Sequence, residues 1–399
     1  MADAILILNA GSSSLKFSVY VGAPRLELLC RGQVEPIGAT PVFRAFDAGG
    51  RLVAEKAWSK SDAISHAGAV AYLLSWAGSE VLHGHRLIAA GHRVVHGGPR
   101  YARPVRVDAE VVDNLKALTP LAPLHMPHNI AAIEAVGEAA PALPQVACFD
   151  TAFHRTMPQV AQTFALPRKY TEAGVRRYGF HGLSYEYVAQ VLKDIDPRAA
   201  KGRTIVAHLG NGASMCAMEG GRSIATTMGL SALDGLVMGT RCGSIDPGVL
   251  LYLGLHEKLG MQELLHMLHQ RCGLLGVSGI SGDMRTLLGS DDLHAREAVE
   301  LFIYRAAREI GSLAAALGGL DALVFTGGIG ENSAPVRAGI CKASAWLGVE
   351  LDETANQRSG PGIGRGGARV AAWVIPTNEE LMIARHTASV LGGATGPGG

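Results

Sequence analysis

Apolar runs of strand length recur along the chain between clusters of turn-forming residues. Residues 4–8 predict a strand, 9–13 a small polar turn and 14–20 a second strand, so the chain opens on a hairpin. Further strand-like runs cover 87–95, 145–149, 204–208, 214–218 and 322–325. Apolar positions at helical spacing predict helices over 108–118, 129–136, 185–192, 248–259, 293–317 and 379–390. Strands interleaved with helices imply an α/β fold, and two hairpins imply mixed sheets. The turn Leu8-Asn9-Ala10-Gly11-Ser12-Ser13 shares a Leu-x-x-Gly pattern with Leu209-Gly210-Asn211-Gly212-Ala213-Ser214, about half a chain later. The repeat points to two related halves, each with a hairpin turn suited to phosphate, although small residues also fill such turns for steric reasons.

A boundary between halves is expected just after Asp150. The polar segment 156–178, broken by Pro158, Pro167 and Gly174, suits a hinge. With 399 residues the chain is long enough for two domains. A net charge of +1 gives no basic excess to drive binding to nucleic acid or an anionic membrane. An anionic ligand must therefore be held by local features. Six scattered cysteines form no CxxC pair, which indicates reduced thiols. No apolar run approaches the roughly 20 residues of a membrane span, and residues 1–16 lack a signal-peptide pattern. A cytoplasmic protein is expected, with a disordered Gly/Pro-rich tail over 392–399.

In the first hairpin, strand alternation sets Ser12, Ser14 and Lys16 on one face, a donor set for a phosphate chain. Lys16 lacks the preceding Gly and following Ser/Thr of a Walker A loop. In Gly91-His92-Arg93-Val94-Val95-His96, Arg93 and Val95 point one way and could clasp a carboxylate with a short alkyl tail. His92 and His96, on a strand, are too far apart to chelate and are expected to be structural. Asp150 ends an apolar strand, where it either faces a ligand crevice or starts a turn. Phe180-His181-Gly182 and Gly239-Thr240-Arg241 add charge between glycines. The turn Gly327-Gly328-Ile329-Gly330-Glu331-Asn332 suits a nucleotide against bare backbone, with Asn332 or Ser333 capping the next helix. Thr377 and Glu380 fit a capping box, which leaves Glu379 for a metal.

Taken in order, these segments resemble the acetokinase family of the acetate and sugar kinase/actin superfamily. The resemblance runs from Asn9-Ala10-Gly11-Ser12-Ser13-Ser14-Leu15-Lys16 to Thr377-Asn378-Glu379-Glu380. It implies duplicated ribonuclease-H-like, actin-like ATPase domains with mixed sheets and an interdomain cleft for ATP/ADP. The N-terminal domain would be 1–150, joined by a terminal helix near 380–391, and the C-terminal domain 151–379. It implies a homodimer, Mg²⁺ with Mn²⁺ as a substitute, and acetate or another short-chain carboxylate as substrate. Asn9 and Glu379 would serve the metal, and Ser12, Ser14 and Lys16 the phosphates. His208, Leu209, Gly210, Asn211 and Gly212 would line the nucleotide site, as would Asp283, Met284 and Arg285. Gly328, Ile329, Gly330, Glu331 and Asn332 complete that set. Arg93, Val95, Leu124, His125 and Phe180 would bind the acid, while His181 and Arg241 steady the transferred group. Asp150 would be catalytic, orienting Arg241 or metal-bound water. It would not act as a base, since the acid is already ionised at pH 7.

Four positions depart from the expected pattern: Ala232 for a proline, Met126 for Asn, His128 for Pro and Ser244 for an acid. Ala232 opens the possibility of propionate or butyrate as the acid. A non-catalytic ATP-binding module is the rival from another class, and a nicotinamide oxidoreductase the weakest.

Overall fold

The computed structural model describes residues 2–23, 25–62 and 64–392. The predicted tail therefore lies outside the described residues except for Gly392, which ends the helix Glu379–Gly392. Two compact units form: residues 2–152 with 378–392, and residues 153–377. The segment 156–178, expected as a hinge, lies within the second unit and carries two short helices, Gln159–Gln162 and Arg168–Glu172.

The first unit contains β1 (Ala2–Ala10), β2 (Leu15–Val21), β3 (Glu27–Glu35), β4 (Val42–Asp47), β5 (Leu52–Ala57), β6 (His85–Val94), β7 (Val105–Arg106) and β8 (Gln145–Phe149). They form one sheet in the order β5-β4-β3-β2-β1-β6-β8-β7. β1 is antiparallel to β2 and parallel to β6, which is parallel to β8. Residues Ala4 to Leu8 of β1 are all buried, as befits a central strand covered on both faces. The sequence pattern missed β3, β4 and β5. These strands lie toward one edge and alternate charged residues such as Arg31, Arg44 and Glu55 with apolar ones, so no apolar run marks them. Under them Phe17 stacks on Phe43 at 5.6 Å, and Trp76 meets Phe43 edge-on at 4.9 Å. Trp76 ends the helix His66–Trp76, capped by Ser65, which the sequence pattern also missed.

The helix Glu379–Gly392 belongs to this unit, not the second, and packs on β1 and β6. Gly91 makes this possible: a Cβ there would lie 2.8 Å from Ile383 Cγ2. Its cap is Asn378, whose Oδ1 accepts from Leu381 N at 2.9 Å and from Tyr20 Oη at 3.2 Å. The expected Thr377–Glu380 capping box is absent because Asn378 is the nearer cap; Thr377 Oγ1 is buried without a partner.

The second unit carries β9 (Arg203–Leu209), β10 (Ala213–Glu219), β11 (Arg222–Thr226), β12 (Ala322–Thr326) and β13 (Ala371–Val374), in the order β11-β10-β9-β12-β13. β9 is antiparallel to β10 and parallel to β12. The run β3-β2-β1-β6-β8 therefore has the same sense at every pairing as β11-β10-β9-β12-β13. The Leu-x-x-Gly repeat marks the β1–β2 and β9–β10 turns, so the duplication extends from sequence to topology. The longest helix, Leu293–Leu317, starts at the Asp292 cap and stops at Gly318 in the left-handed region, at the predicted bounds. The helix predicted to 259 runs only over Pro247–Leu255, and Lys258 follows at a left-handed φ of 58°.

Candidate active site

In the first unit, Asn9 is the penultimate residue of β1, not part of the turn, and pairs in register with Lys16 on β2. The turn itself is Gly11–Ser14, closed by Gly11 N donating to Ser14 O at 2.8 Å. Ser12 and Ser14 therefore lie in the turn rather than on a strand face. Arg93, near the end of β6, reaches Asn9, Asp150 and Glu379. Its Nε and Nη2 donate to Asp150 Oδ1 and Oδ2 at 3.0 and 2.6 Å, and its Nη1 donates to Asn9 Oδ1 at 3.2 Å. Glu379 Oε2 lies 3.8 Å from Arg93 Nε. Asp150, just past β8, is fully buried, and its neutralising partner is Arg93. Burial opposes the charge on Arg93, but Asp150, Glu379 and Glu380 outweigh it and raise its pKa. Burial pushes Glu379 up to about 7, with Asp150 and Glu380 adding to the rise and Arg93 and Lys16 opposing it.

These donors suit a small hard cation. Asn9 offers an amide oxygen and Glu379 a carboxylate that burial, with repulsion from Asp150 and Glu380, makes costly to ionise alone, a cost that a cation relieves. Among the described residues no cluster of three His, Cys, Asp or Glu could cage a metal. One or two carboxylates completed by water and phosphate are what Mg²⁺ takes.

One side chain ties the β1 and β6 ends together and was not singled out from the sequence. Asn129 donates to Ala10 O at 2.8 Å and accepts from Val95 N at 3.0 Å. Val95 is buried just beyond β6, and Leu124 and His125 are half-buried before the helix Met126–Ala139. Met126 is wholly buried, and His128 lies beside His66, ring centroids 5.1 Å apart. His92 and His96 are buried; burial drives His92 down to about 4, which keeps it neutral, and His96 Nδ1 accepts from Gly98 N at 2.8 Å.

In the second unit a cavity of about 550 Å³ is lined by Gly210 and Asn211 of the β9–β10 turn, by Asp283, Met284 and Arg285, and by Gly328, Ile329 and Asn332. Gly282, Leu288, Ser333 and Pro335, which were not among the expected nucleotide-site residues, complete the lining. Asp283 caps the helix Met284–Leu288 and also pairs with Arg285 at 3.1 Å. The expected glycine turn is instead the short helix Gly327–Asn332, possible because Glu331 folds back to accept from Gly327 N at 2.8 Å. Glu331 also accepts from Thr377 N, so its carboxylate is a brace. Gly330 is buried and does not line the cavity. The helix Ala334–Ala343 follows, and neither Asn332 nor Ser333 caps it with its side chain; Asn332 Nδ2 donates instead to Gly328 O at 2.9 Å.

Gly212 continues the same turn. A Cβ on it would lie 2.6 Å from Arg241 Nη2 and 3.5 Å from His181 Nε2, so both nitrogens converge over the turn. Arg241 is anchored by Nη1 donating to Ala232 O at 2.7 Å, so the alanine supplies the carbonyl that holds it. His181 caps the helix Gly182–Ile195 at a left-handed φ of 57°. Its ring stacks on that of His208 at 4.2 Å, and His208 precedes Leu209, the buried last residue of β9. Phe180 is buried, and its carbonyl accepts from His154 Nε2 at 2.9 Å. Ser244 is also accounted for: its hydroxyl donates to Asp234 at 2.8 Å, and Asp234 pairs with Arg177 at 3.0 Å. A carboxylate at 244 would repel Asp234.

Two mixed-sheet units of matching topology, one with a carboxylate–arginine cluster and the other with a glycine-turn cavity flanked by the converging Arg241 and His181 nitrogens, define an α/β phosphotransferase. The family model of the Acetokinase family matches residues 4–385. An acetate kinase from Rhodopseudomonas palustris is 56% identical over 392 residues, 97% of this chain and 98% of that one. The crystal structure of Porphyromonas gingivalis acetate kinase matches with a TM-score of 0.88 at 35% identity, covering 98% of this chain and 100% of that one. A propionate kinase from Francisella tularensis matches at 0.88 and 38% identity, covering 96% and 98%. The chain belongs to the acetokinase family.

Proposed function

We propose that the protein catalyses reversible transfer of the γ-phosphoryl group of ATP to acetate, giving acetyl phosphate and ADP. The observation that carries this is the continuity of one turn. Gly210 and Asn211 line a nucleotide-sized cavity, and Gly212, the next residue, faces Arg241 and His181. A nucleotide lying in that cavity, against Gly328, Ile329 and Asp283, would place its phosphates beneath those two donors.

The carboxylate nucleophile repels the anionic phosphorus, so the chemistry is charge neutralisation and positioning. Arg93 binds the acid. It has five N–H donors, and three are engaged by Asp150 and Asn9, which leaves one on each terminal nitrogen as a fork for a carboxylate. Asp150 is therefore a positioning residue for Arg93. No proton need leave the acid, since carboxylic acids ionise near pH ~4. Lys16 and the Ser12–Ser14 turn serve phosphate oxygens. Mg²⁺, for which Mn²⁺ substitutes, would be held by Asn9 and Glu379 and would neutralise phosphate charge when bound.

Propionate or butyrate is the second reading, favoured by Ala232 and by the likeness to the Francisella protein. We place the protein in the cytoplasm; among the described residues no helix is long and apolar enough to cross a membrane. We propose a homodimer, supported by the apolar helix Pro247–Leu255, none of whose residues is buried and whose Leu251 and Leu255 are 62% and 79% exposed. ADP release from Mg²⁺-ATP tests the activity: it should require the acid, whereas tight ATP binding without turnover would favour the binding module.

A further inference from the structure

Two histidines face the phosphate turn, and each has a hydroxyl on the opposite ring nitrogen. His181 Nδ1 is 2.8 Å from Ser214 Oγ, and Ser214 Oγ is in turn hydrogen-bonded to Tyr185 Oη. His208 Nδ1 is 2.9 Å from Ser184 Oγ. Ser184, Tyr185 and Ser214 are fully buried. Ser184 and Tyr185 are neighbours in the first turn of the helix Gly182–Ile195, so one helix turn supports both rings. The other nitrogens, both Nε2, point at the β9–β10 turn: His181 Nε2 lies 3.5 Å from the Cβ position of Gly212, and His208 Nε2 3.8 Å from that of Gly210.

A neutral imidazole donates from one nitrogen only, and the hydrogen bond on the other decides which. A phenol is a stronger acid than an aliphatic alcohol. Tyr185 therefore donates to Ser214, whose single proton is then directed at His181 Nδ1. His181 Nδ1 becomes an acceptor, and its own proton resides on Nε2. Ser184, whose Oγ lies 2.9 Å from His208 Nδ1, is placed to donate to that ring in the same way. The backbone is committed to this arrangement. His181 keeps a left-handed φ that a β-carbon disfavours. The peptide before it is fixed by His154, itself held neutral because burial drives it down to about 4.

We propose that Tyr185, Ser214 and Ser184 are positioning residues that hold His181 and His208 as Nε2–H donors toward the transferring phosphoryl group. This rests on the phosphoryl-transfer function proposed above. A donor preset on Nε2 needs no tautomer change when charge develops on the phosphoryl oxygens.

The test uses full-length protein labelled with ¹⁵N-histidine, with the His181 and His208 signals assigned by His181→Gln and His208→Gln. Both rings should show the Nε2–H tautomer in the wild type. Ser214→Ala should move His181, but not His208, toward a tautomer mixture. It should also lower kcat ~10–100-fold, as loss of outer partners does for other functional histidines, with KM values little changed. Ser214→Thr should restore both. Tyr185→Phe, which removes only the hydroxyl, gives the same reading if Ser214→Ala folds poorly. An unaltered tautomer in these variants overturns the proposal, whether or not kcat falls, because the role would then be merely structural. A tautomer change without loss of kcat overturns its catalytic part. If the wild type makes no acyl phosphate, the functional reading fails, while the tautomer signals still report whether the relay exists.

Discussion

The guanidinium of Arg93 lies fork to fork on the buried carboxylate of Asp150, with contacts of 3.0 and 2.6 Å. Asp150 thereby orients the arginine while its own charge is neutralised. In Asp150→Asn the pH–rate profile should keep its shape while kcat falls, because no proton transfer is lost. Steady-state kinetics between pH 6 and 9 check this, and a missing limb would return Asp150 to the role of base. Arg93→Ala strands a buried carboxylate and should destabilise the fold by about 3–5 kcal/mol, read by urea unfolding, while raising KM for the acid.

Gly212→Ala probes the converging donors over the turn. The new methyl group would occupy the position 2.6 Å from Arg241 Nη2 and push the flexible guanidinium aside. Stability should hardly change, since only a side-chain end must move. The drop in kcat should approach the ~10²–10³ seen when one preorganised donor is lost. Thermal unfolding and initial rates, measured together, separate the two effects.

Asn129 bridges Ala10 and Val95 through both ends of its amide. Asn129→Ala leaves a buried carbonyl and a buried N–H without partners. Each orphan should cost about 1–3 kcal/mol. Asn129→Asp keeps an acceptor for Val95 N but sets a buried carboxylate oxygen against Ala10 O, so its loss of stability near pH 7, by denaturant titration, should be at least as large as that of Asn129→Ala.

Much of this was legible in the sequence because central strands buried on both faces leave apolar runs. β1, β6, β8, β9, β10 and β12 were all found that way. Strands β3 to β5, toward one edge of the sheet, were not, because charged residues interrupt them. The candidate site was legible where glycines mark a turn, as at Gly210–Gly212, or where a charge ends an apolar strand, as at Arg93. It was not legible where a role depends on distant partners. Nothing local marks Asn129 as the link between two strand ends, or Ser214 as the support of a histidine. Local capping rules also misled: Thr377 and Glu380 fit a box, yet Asn378 caps the helix and Glu331 takes the Thr377 amide.

Stability should fall with acid in a defined window. His92 and His154 are buried, and burial holds each near 4, below the ordinary 6.5. The unfolded chain binds these protons first. Stability is thus fully present above pH 6.5 and drains as pH falls toward 4, by on the order of 3 kcal/mol for each histidine. Urea midpoints at pH 7.5, 6, 5 and 4.5 should decline in that order, and a flat series would contradict the neutral burial of both rings.

Glu379→Gln removes the carboxylate proposed to hold Mg²⁺. The Mg²⁺ concentration for half-maximal rate should rise about tenfold or more, with the fold kept, since loss of a charge repelled by Asp150 and Glu380 does not weaken packing. Magnesium titrations of the rate, beside unfolding curves, give both readings.

The most direct test of the central claim is acyl-phosphate formation, trapped with hydroxylamine, from Mg²⁺-ATP and acetate, propionate or butyrate in parallel. The account predicts hydroxamate from all three arms in proportion to kcat/KM, with acetate highest. Hydroxamate from none of them, with ATP bound, would contradict it.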